Sequence, residues 1–393
     1  MATIEVTKPN YTFEEGVHRV ISHVQDKPLW FETADISIRP SAEAFLSAIL
    51  VPAFESSCDI TIDAPLSPVW MSNIEEMSKV FAKWWAYRGV EFHGVRKKTH
   101  IEAGNRKTAL CFSGGVDSFY NLLRGSHKID YLVSAYGFDI PVGNADRIAS
   151  FHRSLRDISE ATNTTSIAVT TNLREHPVSA YASWPNSHGG ALAALGHLLN
   201  HHFDRLIVSA SYALDCDVPW GSHWKIDHLW SSESLQVIHA GNEIWRSDKL
   251  REIMNEPLVR KHLRVCFQNT GSSPNCGCCE KCIRTMLVLA QSRQLDYFPG
   301  FENRESLAES VNKLSRIGQY LMKPYQKLLE RGVLDKPLAE AVEGLLKRSR
   351  RVRIVPKKFL KNQFHEISKR IKRPFKKKLK IIYSQTSSNE YEK

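Results

Sequence analysis

The sequence has no apolar run of the roughly 18–20 residues that a membrane-spanning helix needs. Its first residues, Met-Ala-Thr-Ile-Glu-Val, lack the basic and apolar pattern of a secretion signal. It contains no internal repeat, and no Gly-Lys-Ser/Thr step that would end a Walker phosphate loop. These absences argue against an integral membrane protein and a repeat array, and we expect a cytoplasmic location.

The charge of the chain is concentrated at one end. The 393 residues carry a formal net charge of +11, with an ordinary hydrophobic share of 42%. Residues 347–380 hold 16 Lys and Arg against the single acid Glu366, which leaves 37 basic and 41 acidic residues elsewhere. We therefore predict that this basic tail contacts a polyanion, either RNA or an anionic membrane surface in a membrane-peripheral location. A merely solvated tail is the alternative.

The pattern of apolar residues divides the chain into four regions. We predict an N-terminal α+β module at 1–105, a main domain at 106–300, a helical region at 301–346 and the basic tail at 347–393. Strands are expected at 35–39, 59–63, 90–92, 107–112, 131–135, 166–170, 205–209 and 235–239, and helices at 41–50, from Ser72, at 144–161 and at 190–201. Alternating strands and helices in the main domain predict an α/β fold with a parallel, doubly wound sheet.

One stretch of the main domain combines a strand, a glycine pair and a helix. Residues 113–118 read Ser-Gly-Gly-Val-Asp-Ser, after the apolar run 107–112 and before the helical run 119–123. Gly114 and Gly115 let the backbone approach a ligand closely, and a helix N-terminus favours an anion. Ser113 and Ser118 add hydroxyl donors. Asp117 adds negative charge, which suits a phosphate site only if Mg²⁺ bridges the carboxylate and the phosphates. A Gly-Gly turn between two core elements is the alternative.

Five of the eight cysteines fall within seventeen residues. Cys266, Cys276, Cys279 and Cys282 have two tight Cys-x-x-Cys steps, a spacing that suits tetrahedral Zn²⁺. Cys278 could replace Cys279 as a ligand. A redox dithiol and an iron–sulfur cluster are the alternatives to zinc.

The glycine pair and its flanking residues resemble the pyrophosphate loop of the ATP pyrophosphatases, in the adenine nucleotide α-hydrolase group. With the four cysteines placed after it, residues 106–295 resemble the 7-cyano-7-deazaguanine synthase family. The resemblance implies cleavage of ATP to AMP and pyrophosphate, with Mg²⁺, and a structural zinc beside the active site. It also implies that Lys249, in the run Ser247-Asp-Lys249, lies near the phosphates and stabilises charge in the transition state.

The chain departs from that family in three places. Residues 136–141 read Tyr-Gly-Phe-Asp-Ile-Pro, where the family has Tyr-Gly-Gln and polar residues, and long segments precede the loop and follow the cysteines. We therefore expect an ATP-dependent ligase that adenylates a carboxylate or amide oxygen of a different small-molecule acceptor. A sugar amidotransferase of surface polysaccharide synthesis, a tRNA-modifying enzyme and a non-catalytic ATP-binding regulatory or defence protein are the alternatives. The sequence does not fix the oligomeric state, and a homodimer is one of the alternatives.

Three further residues are candidates for substrate contacts. His188 precedes a predicted helix of small residues and is expected near the strand ends, where it would contact substrate or phosphate. Asp215 and Asp217 follow the predicted strand at 205–209 and would orient an amine or hold a second Mg²⁺. A capping or packing role for His188 and a solvated loop for the two carboxylates are the alternatives.

Overall fold

The computed structural model describes residues 2–97, 107–270, 273–304 and 307–350. Up to residue 346, the described chain packs as one unit. Within the described ranges, no helix is both long enough and apolar enough to cross a bilayer. Of the basic tail predicted at 347–380, all but residues 347–350 lies outside the described residues.

The described residues form thirteen strands and eleven α-helices. The strands are β1 Thr3–Val6, β2 Asn10–Glu14, β3 Val17–Val24, β4 Lys27–Thr33, β5 Asp59–Ile62, β6 Pro65–Leu66, β7 Phe92–His93, β8 Arg96–Lys97, β9 Thr108–Cys111, β10 Tyr131–Tyr136, β11 Thr165–Thr171, β12 Arg205–Ser209 and β13 Gln236–Ala240. The helices are α1 Ala42–Ser56, α2 Pro68–Trp85, α3 Val116–Arg124, α4 Ala145–Ala161, α5 Trp184–Leu199, α6 Arg246–Ile253, α7 Pro257–His262, α8 Glu280–Gln291, α9 Leu307–Lys313, α10 Gln319–Glu330 and α11 Lys336–Arg350.

Eleven of the strands form one sheet, which passes through both the N-terminal module and the main domain. The order is β13-β12-β9-β10-β11-β4-β3-β1-β5-β7, with β2 paired to β3. The five strands from β13 to β11 are parallel, and β4 joins them antiparallel to β11. The chain is therefore a mixed α/β protein with a largely parallel central sheet.

Two apolar layers cover the two faces of this sheet. On one face, α1, α2 and α5 pack against alternate strand residues such as Val208 and Val237. On the other face, α3, α4, α6 and α8 pack against the neighbouring residues Ile207 and Leu110. Since side chains alternate along a strand, the sheet supports one core on each side. The carboxyl ends of β9, β12 and β13 meet at one edge, where loops can form a site.

Several predicted elements are confirmed with small shifts. The strands expected at 131–135, 166–170 and 205–209 correspond to β10, β11 and β12, and the helix expected at 144–161 corresponds to α4. The strand expected at 59–63 is β5, and the one at 235–239 is β13, displaced by one residue. These segments have short apolar runs, a strict polar–apolar alternation or clear helical spacing, so their local pattern is decisive.

Three local predictions were wrong. Residues 35–39 form no strand, because the Asp35 carboxylate accepts the N–H of Ala168 at 2.7 Å and ties this segment to β11 from the side. Ser72 caps no helix, since α2 begins at Pro68 with Ser67 as its N-cap. The helix expected at 190–201 begins at Trp184, six residues earlier.

Candidate functional site

The segment from β9 to α3 turns sharply at its glycine pair. Residues 113–118, which we call the glycine loop, connect the last residue of β9 to the first turn of α3. Gly114 has φ of +73°, and a Cβ there would lie 3.0 Å from Cε2 of Phe151. Only glycine takes this conformation readily, so the first glycine of the pair is required by both backbone and space. Gly115 is the N-cap of α3.

The backbone N–H groups of the glycine loop are available to a ligand. In the described part of the chain, none of the N–H groups of residues 113–118 has a protein acceptor, and the first that does is that of Phe119, which donates to Gly115 O at 3.0 Å. The Ser118 hydroxyl also donates to Gly115 O, at 3.1 Å, and its side chain is buried. Ser118 thus shapes the loop, while the free N–H groups and the α3 dipole form an anion-binding concavity.

Asp117 lies between two cations, of which Lys249 is fully buried and Arg246 is partly exposed. Its carboxylate is paired with Arg246, and its Oδ1 accepts from Lys249 Nζ at 3.2 Å. Burial by itself would raise the pKa of Asp117, but the charges of Arg246 and Lys249 outweigh it and lower the pKa. The carboxylate is therefore ionised and neutralised by side chains. Because these two cations balance the carboxylate, its position beside a candidate anion site does not by itself require Mg²⁺.

Lys249 is held rigidly by the strand ends. Its side chain is 1% exposed, and Nζ donates to Ala210 O at 2.7 Å, at the end of β12. Gly241 follows β13 with φ of +82°, and a Cβ there would lie 3.4 Å from Nζ. The structure thus brings Lys249 into contact with Asp117 of the glycine loop.

Further cations surround the glycine loop. Arg246 and Arg284 line one cavity beside the first residue of α3. Arg284 is held by Glu280 at 2.7 Å, and the charge of Lys281 contributes to the lowered pKa of Asp117. Together α6 and α8 carry five basic and three acidic side chains, and a net positive charge of this kind favours an anion.

The four predicted cysteine ligands come together. Cys266, Cys276, Cys279 and Cys282 are buried, and their sulfur atoms lie within 4.8 Å of one another. In tetrahedral zinc sites Zn–S bonds of about 2.3 Å place the sulfurs about 3.8 Å apart, close to the arrangement found. Hydrogen bonds from the Cys279 and Cys282 thiols lower the pKa of Cys266, which favours a thiolate. This cysteine cluster can hold a metal such as zinc.

The fifth cysteine lies outside the cluster. Cys278 is exposed, and its sulfur is 3.4 Å from that of Cys276. Cys279, the N-cap of α8, points inward instead, so the arrangement in which Cys278 replaces Cys279 is not the one found.

The segment that carries Cys266 also supports the glycine loop. Arg264 N donates to Gly114 O at 2.8 Å. The side-chain oxygen of Asn275, which is fully buried, accepts the N–H of Val265 at 2.7 Å and that of Cys266 at 3.2 Å. The cluster and the loop are therefore connected through two residues of backbone, and the metal site can fix the shape of the loop.

The three candidate substrate residues differ in solvent exposure. His188 is in the second turn of α5 rather than before the helix, and its Nδ1 lies 3.1 Å from Pro185 O. Burial lowers the pKa of His188, so its ring is neutral at pH 7. Asp215 and Asp217 form exposed ion pairs with Lys323 and Lys225, which indicates a solvated loop rather than a second metal site.

Two features of this edge of the sheet were not predicted from the sequence. Arg246 lies one helical turn before Lys249, at a spacing of three residues, and that spacing could have identified it. The buried Asp227 accepts from His239 Nδ1 at 2.7 Å, although twelve residues separate the two in the chain. No local pattern joins a strand residue to a loop carboxylate at that spacing, so only the fold reveals this pair.

Comparison with known protein families, with curated proteins and with solved structures gives no match.

Proposed function

We propose that this protein is an ATP pyrophosphatase of the adenine nucleotide α-hydrolase type, which adenylates a small-molecule acceptor and then joins it to a nitrogen nucleophile. The observation that carries the proposal is the row of unused N–H groups in the glycine loop, at the start of α3 and among Arg246, Lys249 and Arg284. A diphosphate leaving group needs many donors and fixed positive charge, and this loop offers both.

The first half of the reaction would use the glycine loop to bind the β- and γ-phosphates. An oxygen of the acceptor attacks the α-phosphorus, the bond to the bridging oxygen breaks, and pyrophosphate leaves. Lys249 and Arg246 lie where negative charge grows on that leaving group, so they stabilise it without moving far. Mg²⁺, when bound, would neutralise phosphate charge, and the Asp117 carboxylate is an oxygen donor of the kind that it prefers.

The cysteine cluster would serve a structural purpose in this scheme. With four thiolates a zinc ion has no open position for substrate, which is typical of structural sites. Through Arg264 and Gly114 the bound metal would hold the glycine loop in its binding conformation.

The experiment that tests the proposal measures the products of ATP cleavage. The full-length, zinc-loaded protein is incubated with ATP, Mg²⁺ and a protein-free extract of cellular small molecules, and AMP and pyrophosphate are quantified by mass spectrometry. We expect equal amounts of both, and ATP–pyrophosphate exchange that falls at least about 100-fold in Asp117→Asn. Asp157→Asn, which removes an exposed carboxylate paired with Lys261, is the matched control.

Two outcomes would contradict the proposal. Formation of ADP and phosphate would place the cleavage at a different bond. Binding of ATP without any turnover in extract would instead support a non-catalytic ATP-binding protein.

A further inference from the structure

A second polar cluster lies on the face of the sheet that α5 covers. Its centre is Asp227, whose side chain is 1% exposed and whose carboxylate accepts three hydrogen bonds. Ser222 Oγ and His239 Nδ1 donate to Oδ2, each at 2.7 Å, and the N–H of His223 donates to Oδ1 at 3.0 Å. The carboxylate is therefore fully satisfied and fixed.

The ring of His239 is oriented by this carboxylate. An ionised carboxylate only accepts, so Nδ1 carries the proton and Nε2 of the neutral ring has a free lone pair. In the described part of the chain Nε2 has no hydrogen-bond partner, yet it is not among the polar atoms closed off from solvent. An imidazole held in this way can accept a proton at Nε2.

The strand register places His239 level with Cys111, two residues before the glycine loop. His239 on β13 pairs with Val208 on β12, and the preceding pair of β12 with β9 is Ile207 with Leu110. Cys111, the last residue of β9, is thus two strand spacings, about 10 Å, from His239 along the sheet edge. Burial and the charge of Asp227 together raise the pKa of Cys111, which agrees with this proximity.

The cluster and the cations lie on opposite sides of the strand ends. Val237, two residues before His239, belongs to the core on the α5 face, whereas Lys249 belongs to α6 on the α3 face. A substrate that spans the edge would therefore meet the phosphate-binding cations on one side and the imidazole on the other.

We propose that His239 is the general base for the nitrogen nucleophile in the second half of the reaction, with Asp227 as its positioning residue; this rests on the proposed function. The nitrogen attacks the adenylated carbon, a C–N bond forms, and the C–O bond to AMP breaks, with AMP taking that electron pair. The proton lost by the nitrogen goes to Nε2 of His239.

The other titratable groups near His239 do not fit that role as well. His223 is buried, and its Nε2 faces Asp217 Oδ1 at 3.2 Å. His188 is neutral and accessible, but its ring is held by backbone carbonyl groups of α5 rather than by a carboxylate. Among these three, His239 alone has a buried carboxylate behind one ring nitrogen and a second nitrogen that has no partner and is not fully enclosed, in a side chain that is 7% exposed.

The test separates the two half-reactions with His239→Asn, whose amide can still donate to Asp227. Both assays use the protein-free extract. ATP–pyrophosphate exchange measures adenylation. Incorporation of ¹⁵N from ¹⁵N-ammonium chloride into the product, followed by mass spectrometry, measures the nitrogen step. We expect the ratio of ¹⁵N product to exchange to fall about 10²- to 10⁴-fold in His239→Asn. His228→Asn, at an exposed histidine of the same short 3-10 helix as Asp227, is the control.

The outcomes are distinguishable. An unchanged ratio in His239→Asn overturns the role of His239 and leaves the proposed function standing. Absence of exchange in the wild type overturns both. Independently of any acceptor, ¹⁵N shifts of the histidine rings should show the neutral ring of His239 protonated at Nδ1 and bare at Nε2; the opposite tautomer overturns the inference.

Discussion

Replacing Lys249 with Met tests how firmly the cations beside the glycine loop are built into the fold. Nζ of Lys249 is held by Ala210 O at 2.7 Å and by Asp117 Oδ1 at 3.2 Å, in a side chain that is 1% exposed. Met restores the aliphatic volume, so little cavity remains. It leaves the Ala210 carbonyl buried and unpaired, at a cost of about 1–3 kcal/mol.

The loss of the ion pair adds to that cost. Removing one partner of a buried pair typically destabilises by about 3–5 kcal/mol, but Asp117 keeps Arg246, so we expect a total of about 3 kcal/mol. Urea unfolding of the zinc-loaded protein measures it. Lys323→Met is the matched control, because its pair with Asp215 has side chains 48% and 53% exposed and should contribute only about 0–1 kcal/mol.

Two results would refute this reasoning. If Lys249→Met and Lys323→Met destabilise equally, burial does not distinguish the two lysines. If Lys249→Met loses no stability but abolishes pyrophosphate exchange, the lysine is free to move and is not the fixed cation described above. A double-mutant cycle with Asp117→Asn would give the coupling energy of the pair directly.

Three further predictions follow from the loop, the cluster and a buried histidine. Gly114→Ala should weaken pyrophosphate binding at least about 10-fold in calorimetry, whereas Gly332→Ala, also at positive φ but with open space around it, should not. Cys279→Ser should lose the bound zinc in elemental analysis, while Cys278→Ser retains one zinc per chain. Since the pKa of His188 is lowered from 6.5, unfolding takes up a proton at this residue below that pH. His188 should then contribute up to about 1.4 kcal/mol per pH unit to the loss of stability on acidification, and His188→Gln should reduce the slope by that amount in urea unfolding.

The elements predicted correctly from the sequence are those whose local pattern is compatible with only one kind of secondary structure. The runs that became β10 and β12 are mostly apolar, and the spacing of the four cysteines permits few other geometries. Most of the strands between β1 and β8 were not predicted from the sequence. β3, with the sequence Val-His-Arg-Val-Ile-Ser-His-Val, mixes polar and apolar residues because it lies within an antiparallel part of the sheet. The start of α5 was missed because Trp184 and Pro185 resemble a loop.

The features that could not be predicted are those that depend on distant parts of the chain meeting. Spacing identifies Cys266 as a ligand, but not that Arg264, two residues earlier, donates to Gly114 O at 2.8 Å. That contact ties the cysteine cluster to the glycine loop, because any motion of the Cys266 segment moves the loop carbonyl with it. Removal of zinc should accordingly weaken pyrophosphate binding before it unfolds the sheet. A chelator titration followed by both calorimetry and circular dichroism would contradict this if the two signals were lost together.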